Sequence, residues 1–168
     1  MVPVDYRLYT PQDFPALYAI EESCFEPPLR FGRALMRRLV SSAGAATWIA
    51  EEDGRMAGFA IVEWTAVARG QIAYIQTIEV LSEYRGLGVG GELIGRAENS
   101  ARDAAARAIW LHVDAENGAA IRLYEAHGYT RKGREEHYYA RRRPALIYAK
   151  SMIGGPERGL GGAGSTRR

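Results

Sequence analysis

Polar and apolar residues alternate along "VDYRLY" (4–9), and a period of two predicts a strand. The rhythm then changes. In "PQDFPALYAIEESCF" (11–25) the apolar Phe14, Leu17, Ile20 and Cys24 recur at helical spacing, behind a proline and an acid suited to a helix start. Pro27-Pro28 ends that helix, and "RFGRALMRRLVSS" predicts a second, with Phe31, Leu35, Leu39 and Val40 on one side. "TWIAEEDGRMAGFAIVEWT" is two apolar runs around Asp53-Gly54, the signature of a tight hairpin. "QIAYIQTIEVL" (71–81) is rich in β-branched residues and predicts a further strand.

Residues 91–108 place Leu93, Ile94, Ala97, Ala101, Ala104 and Ala108 on one helical face, with Glu92/Arg96 and Glu98/Arg102 paired on the other. A short strand (109–114), a short helix ending at Gly128 and two strand-like pieces, "YTRKGREEHYY" and "ALIYAKSM", follow. The order is strand, two helices, three strands, helix, strand, helix, two strands. It predicts a single α+β domain over 1–153, a mostly antiparallel mixed sheet of about seven strands flanked by about four helices. The glycine-rich 154–168 has no periodicity and is expected to be a disordered tail.

Composition narrows the class. The 168 residues are 47% hydrophobic and 25% charged with a formal net charge of +2, which gives no footprint for nucleic acid. No apolar run reaches the ~18 residues of a membrane span, so no membrane partner is expected. The single Cys24 cannot form an internal disulfide and suits a reducing cytoplasm. It lies far in sequence from every motif and is expected to be packing. Asp5, Arg7 and Asp13 stand where a signal peptide would need an apolar stretch.

The candidate chemistry begins at "YRGLGVGG" (84–91), between a predicted strand and a predicted helix. The first N–H groups of a helix lack partners and lie at the positive end of its dipole. Glycine lets that backbone approach oxygen atoms closely. No Ser, Thr, Asp or Asn starts this helix, so no side chain competes for its N–H groups. A plain strand-to-helix turn is the alternative on spacing alone. The run lacks the Gly-Lys-Ser/Thr of a P-loop, and four strand-like segments precede it, unlike a dinucleotide fingerprint.

Arg85-x-x-Gly88-x-Gly90 after a strand resembles the acetyl-CoA pyrophosphate motif of the GNAT N-acetyltransferases. "LHVDAENGAAIRLYEAHGY" (111–129) resembles the fifth strand and following helix of that superfamily, and "REEHYYARRRPALIYAKSM" its closing hairpin, with the tyrosine pair of the ribosomal-protein-alanine and protein N-terminal acetyltransferase branch. The resemblance implies that backbone groups of Ile78, Glu79 and Val80 pair with the pantetheine arm. It also implies that Gly86, Leu87, Gly88, Val89, Gly90 and Gly91 surround the pyrophosphate, with Arg85 beside them. Asn117 is read as a helix cap that also bonds the cofactor, and Tyr124 as the acid that protonates the leaving thiolate; a packed core tyrosine is the plain alternative. His112 stands where close bacterial relatives carry Glu as the base. It is a candidate base itself, with Glu79 or water as substitutes and a structural histidine as the bland reading. Tyr138 and Tyr139, with Phe25 opposite, are expected to line the acceptor groove. Arg141-Arg142-Arg143 reads as a solvated hairpin or an attractor of acidic segments.

The resemblance therefore implies acetyl-CoA as co-substrate, no metal, and direct transfer to a protein or peptide amine, foremost an N-terminal α-amine. A ribosomal protein is among the candidate acceptors, and the chain is expected to be a monomer or homodimer. Lysine or small-molecule amines as acceptors, and an acyl-CoA-binding module without turnover, are the alternatives.

Overall fold

A computed structural model describes residues 3–140 and 142–153. The expected tail, 154–168, and Arg141 lie outside the described residues. The elements are β1 (Asp5–Leu8), α1 (Phe14–Cys24), α2 (Arg33–Val40), β2 (Ala45–Glu52), β3 (Arg55–Val67), β4 (Gly70–Val80), α3 (Val89–Asp103), β5 (Ala106–Asp114), α4 (Gly118–Ala126), β6 (Thr130–Ala140) and β7 (Arg143–Ser151). This is the predicted order. Seven strands form one sheet, β1-β2-β3-β4-β5-β7-β6, antiparallel everywhere except β4–β5.

Local chemistry explains the connections. Asp53 (φ 49°) and Gly54 (φ 76°) make a two-residue turn with both central residues in the left-handed region, the twist a hairpin needs. The third helix departs from expectation. It begins at Val89, not at 91, and stops at Asp103, not at 108. Ala105 turns left-handed at φ 60°, and Ala106 and Ala108 pair with Gln71 and Ile72 of β4. Alanine-rich composition favours helix only weakly, and the strand ladder overrides it.

The sheet is covered on both sides. Ile94, Ala97 and Ala101 of α3 pack with Val62, Ile75, Ile109 and Leu111 on one face, joined by Tyr124 of α4. Phe14, Leu17 and Ile20 of α1 and Met36 and Leu39 of α2 pack with Ile49, Phe59 and Ile61 on the other.

Two features of β4 break the regularity of the sheet at its centre. Its register against β3 shifts between Ile61 and Val62, so that Gln76 is the extra residue of a β-bulge. Its parallel pairing with β5 ends at Ile75↔Leu111, while β3 stays paired to β4 as far as Val80 and β5 stays paired to β7 as far as Asp114. The two central strands diverge, and the sheet opens between them.

Gly58 sets the outer limit of the β3–β4 pairing. A Cβ there would lie 2.4 Å from the carbonyl oxygen of Glu79 and 3.1 Å from Cα of Val80. Both obstacles are backbone and cannot swing away. Gly58→Val should therefore cost about 1–3 kcal/mol of stability, read as a lower urea midpoint at unchanged m-value. An unchanged midpoint would show that this end of the sheet is not tightly held.

Candidate active site

The opening between β4 and β5 continues as two adjoining cavities of about 440 and 460 Å³. One is bordered by Gly86, Gly88, Gly90, Gly91, Val80 and Arg85, the other by Gln76, Thr77, His112, Asp114, Tyr139 and Arg143. Cys24, Phe25, Ile78, Asn117, Ala120 and Tyr124 line both. The result is one cleft with a glycine-rich end, a polar end and Tyr124 at the junction.

At the glycine end, Gly86 (φ 75°) and Gly88 (φ 85°) are left-handed, and a Cβ on either would meet nothing within 4 Å. Here glycine is required by the backbone angle, and the space above it is open. Gly88 caps α3 without a side-chain hydrogen bond, and Glu92 N–H is the first to reach back, to Gly88 O at 3.1 Å. The N–H groups of Val89, Gly90 and Gly91 thus have no intrahelical acceptor. Gly90 and Gly91 answer a different demand from the one the motif suggests. A Cβ on Gly90 would press on Leu123 at 3.0 Å and one on Gly91 on His127 at 2.9 Å, so both permit α4 to lie close to α3. The Leu87 side chain is exposed and lines neither cavity.

The edge of β4 offers fewer backbone groups than the sequence suggests. Glu79 O points at Gly58, and Leu81 N–H donates to Ala57 O, both toward β3. Strand alternation then turns Ile78 and Val80 toward the cleft. Val80 O already accepts from Arg85 Nε at 3.0 Å, and Cys24 Sγ lies 3.9 Å away. The groups left for a ligand are those of Ile78 and the N–H of Val80; the Glu79 backbone is committed to β3. Arg85 braces the loop. Cys24, far in sequence from every motif and expected to be packing, packs against the core and also lines the cleft, because the end of α1 crosses the end of β4. Burial pushes its thiol pKa up, which makes it a poor nucleophile.

Asn117 caps α4, its Oδ1 accepting from Ala120 N–H at 3.1 Å. Further along α4, Tyr124 is 7% exposed and packs edge-on against Tyr129. Burial alone raises its phenol pKa, so it keeps its proton. Phe25, just past the end of α1, lines both cavities beside this junction.

At the polar end, His112 Nδ1 lies 2.7 Å from the Tyr74 hydroxyl and Nε2 lies 3.0 Å from Glu135 Oε2. Tyr138 stacks flat on the imidazole at 4.1 Å, its hydroxyl 3.4 Å from that of Tyr74. Tyr139 lines the cleft and meets Tyr138 edge-on. Neighbouring strand residues normally face opposite sides. Here β6 is irregular between Glu135 and Ala140, with His137 at φ 57°, and both rings reach the site. Tyr138 covers the histidine, whereas Tyr139 alone borders the cavity. Tyr74 and Glu135 were not singled out from the sequence. Tyr74 carries a usable signal, being a strand tyrosine on the same face as His112; Glu135 carries none without the strand order. Asp114 Oδ2 accepts from Arg143 at 2.6 and 3.1 Å, which ties the end of β5 to the start of β7. Arg143 is therefore a brace and not simply a solvated hairpin cation.

Glu79 and Glu21 are 2% and 1% exposed. Thr77 donates to Glu79 Oε1 at 2.9 Å and Phe31 N–H to Glu21 Oε1 at 2.6 Å, while both Oε2 atoms lack a partner. Burial first, and the Glu21 carboxyl second, push the pKa of Glu79 well above the usual range. The raised pKa keeps a proton on Glu79, which can then be shared with the Glu21 carboxyl beside it. That pairing spends the carboxyl on α1 and argues against Glu79 as a base.

A family model described as the acetyltransferase (GNAT) family matches residues 14–129, and the chain belongs to that family. The N-alpha-acetyltransferase of Sulfurisphaera tokodaii is 30% identical over 120 residues, 64% of this chain and 70% of that one. The mycothiol acetyltransferase of Thermomonospora curvata is 38% identical over 87 residues, 52% of this chain but only 28% of that one. The solved ribosomal-protein-S18-alanine N-acetyltransferase of Escherichia coli shares the fold with a TM-score of 0.77 and 25% identity, over 93% of this chain and 98% of that one. Among the described residues no helix is long and apolar enough to cross a membrane, and no cluster of three His, Cys, Asp or Glu is arranged to hold a metal ion.

The buried pair carries its own prediction. A carboxyl whose pKa is raised by folding stabilises the fold below its unfolded value, about 4.3, and loses that contribution as pH rises. Glu79→Gln keeps a donor toward Glu21 without a titrating group. The variant should gain melting temperature relative to the parent as pH is raised from 4 to 8. A difference independent of pH would show that Glu79 is ionised in the fold.

Proposed function

We propose that this chain transfers the acetyl group of acetyl-CoA to the N-terminal α-amine of a protein or peptide, by direct attack while both substrates are bound. One observation carries the reading. A single cleft joins a glycine-lined helix N-terminus to a histidine-bearing polar end through a buried, protonated tyrosine. The family match and the similarity to N-terminal and ribosomal-protein-alanine acetyltransferases support it. A protein N-terminus, that of a ribosomal protein included, is the acceptor we favour, in a cytoplasmic monomer or homodimer.

Acetyl-CoA, when bound, supplies the acetyl group as a thioester. The free N–H groups of Val89, Gly90 and Gly91 would receive anionic oxygens at the positive end of α3. Ile78 and Val80 would hold an extended amide-bearing arm by strand-like hydrogen bonds. Those groups fit an acyl-CoA: the glycine-rich end of the cleft offers backbone donors and open space, and the edge of β4 running from it toward the junction offers unpaired amide groups. In this reading the Tyr124 hydroxyl would donate its proton to the departing sulfur, and His112 would accept the proton of the attacking amine. Phe25 and Tyr139 would flank the acceptor. No acyl-enzyme is needed, and the protonated Cys24 is not suited to form one.

Mass spectrometry after incubation with acetyl-CoA and a panel of free and N-blocked peptides, polyamines and amino-sugar amines tests the acceptor. Acetylation of free N-termini supports the reading. Modification of blocked peptides on lysine, or of the small amines alone, would refute it. Tyr124→Phe should lower kcat by roughly 10²-fold with acetyl-CoA affinity unchanged; equal activity would return Tyr124 to the core. Gly88→Val should weaken acetyl-CoA binding at least ~10-fold, about 1.4 kcal/mol, because it strains a left-handed position and fills the open cradle. Calorimetry showing unchanged affinity in the folded variant would remove the cradle.

A further inference from the structure

Both ring nitrogens of His112 are already engaged, and the two partners differ in kind. Glu135 Oε2, 3.0 Å from Nε2, belongs to a carboxylate that can only accept. Nε2 therefore carries the hydrogen. In the neutral ring Nδ1 is then bare, and it accepts from the Tyr74 hydroxyl at 2.7 Å. Burial pushes the Tyr74 phenol pKa up, so that hydroxyl retains a proton to give. The opposite tautomer would set a lone pair against the carboxylate. The neighbours on β6 do not compete for Glu135: Arg134 turns to Glu136, and Tyr138 lies flat over the imidazole.

We propose that Glu135 is the positioning residue for His112. Its carboxylate fixes the Nε2–H tautomer and so routes the acceptor's proton to Nδ1 by way of the Tyr74 oxygen. This rests on the reading of His112 as proton acceptor. The lone pair of the neutral amine forms the N–C bond, and as it does so one N–H bond breaks and its hydrogen passes, directly or through one water, to the Tyr74 oxygen. The Tyr74 O–H hydrogen passes at the same time to Nδ1. The new imidazolium faces the Glu135 carboxylate. The C–S bond then breaks, its electron pair leaves with the sulfur, and the sulfur takes the Tyr124 proton. The cycle closes when the imidazolium releases its proton and the Tyr124 phenolate regains one. Glu135, half-exposed and outside both cavity linings, acts only through His112, as the carboxylate of a catalytic triad acts through its histidine.

The test uses the full chain, two Glu135 variants and His112→Asn for assignment. Glu135→Gln retains a carbonyl oxygen that can accept from Nε2–H; Glu135→Ala does not. Long-range proton–nitrogen correlation spectra report which nitrogen of His112 bears hydrogen, the signal being assigned by its absence in His112→Asn. The expected result is Nε2–H in the parent and in Glu135→Gln, and a mixed tautomer in Glu135→Ala. With whichever amine the mass-spectrometric panel shows to be acetylated, kcat should fall roughly tenfold or more in Glu135→Ala. KM for acetyl-CoA should stay constant, and Glu135→Gln should recover most of the rate. An Nδ1–H parent, an unchanged tautomer or an unchanged kcat in Glu135→Ala would overturn the proposal, as would a Glu135→Gln rate as low as that of Glu135→Ala. The tautomer readout needs no acceptor, so failure of the peptide reading and failure of this one are separable.

Discussion

The cleft depends on a failure of hydrogen bonding at the middle of the sheet. β4 and β5 pair in parallel only as far as Ile75↔Leu111, and beyond that point each follows its other neighbour. The bulge at Gln76 adds a residue to β4 where the strands part, and bulges increase local twist. Divergence leaves the backbone of Ile78 and the N–H of Val80 without a strand partner. Unpaired backbone at a sheet interior is costly unless something bonds to it. An extended ligand with amide groups satisfies it by the same chemistry that holds a strand. The N-terminus of α3 opens at the outer end of this gap, so one geometric event supplies both a strand edge and a set of free helix donors.

The rest of the site derives from how the two faces of the sheet are used. The face toward α3 is apolar and closes one side of the core. On the opposite face, the ends of β4 and β5 carry Tyr74, Gln76, Thr77, Glu79, His112 and Asp114. Their polar groups find partners: Gln76 with Glu63, Thr77 with Glu79, His112 with Tyr74 and Glu135, Asp114 with Arg143. Buried polar groups held in this way are oriented before a substrate arrives, which lowers the reorganisation a reaction would require. The same bonds tie β6 and β7 to the diverging strands. Positioning the chemistry and holding the cleft open are thus one set of interactions.

The element order and the strand–glycine–helix junction were legible in the sequence because they rest on local signals: period, turn residues and the absence of a capping side chain before Val89. Ile109, Leu111 and Val113 of β5 are buried and alternate with the less buried Trp110 and His112, a period of two that "IWLHVD" carries on its face. What was hidden depends on long-range pairing. The end of α3 at Asp103 is set by a ladder with Gln71, far earlier in the chain, against the helical rhythm of the alanines. Glu135 meets His112 only because β7 lies between β5 and β6 and β6 departs from regular pairing after Glu135. Gly90 and Gly91 read as part of a cradle, yet their missing side chains make room for Leu123 and His127. Cys24 is remote in sequence and adjacent in space, since only packing brings α1 across β4.

The central claim is that one ligand spans the unpaired edge of β4 and the free N–H groups of α3. Amide chemical shifts followed during titration with CoA test it most directly. The account predicts that the N–H signals of Ile78, Val80, Val89, Gly90 and Gly91 move together along one saturation curve, while Glu79, bonded to β3, moves less. Saturation that shifts Val89 to Gly91 without Ile78 and Val80, or leaves all five unmoved, would contradict it.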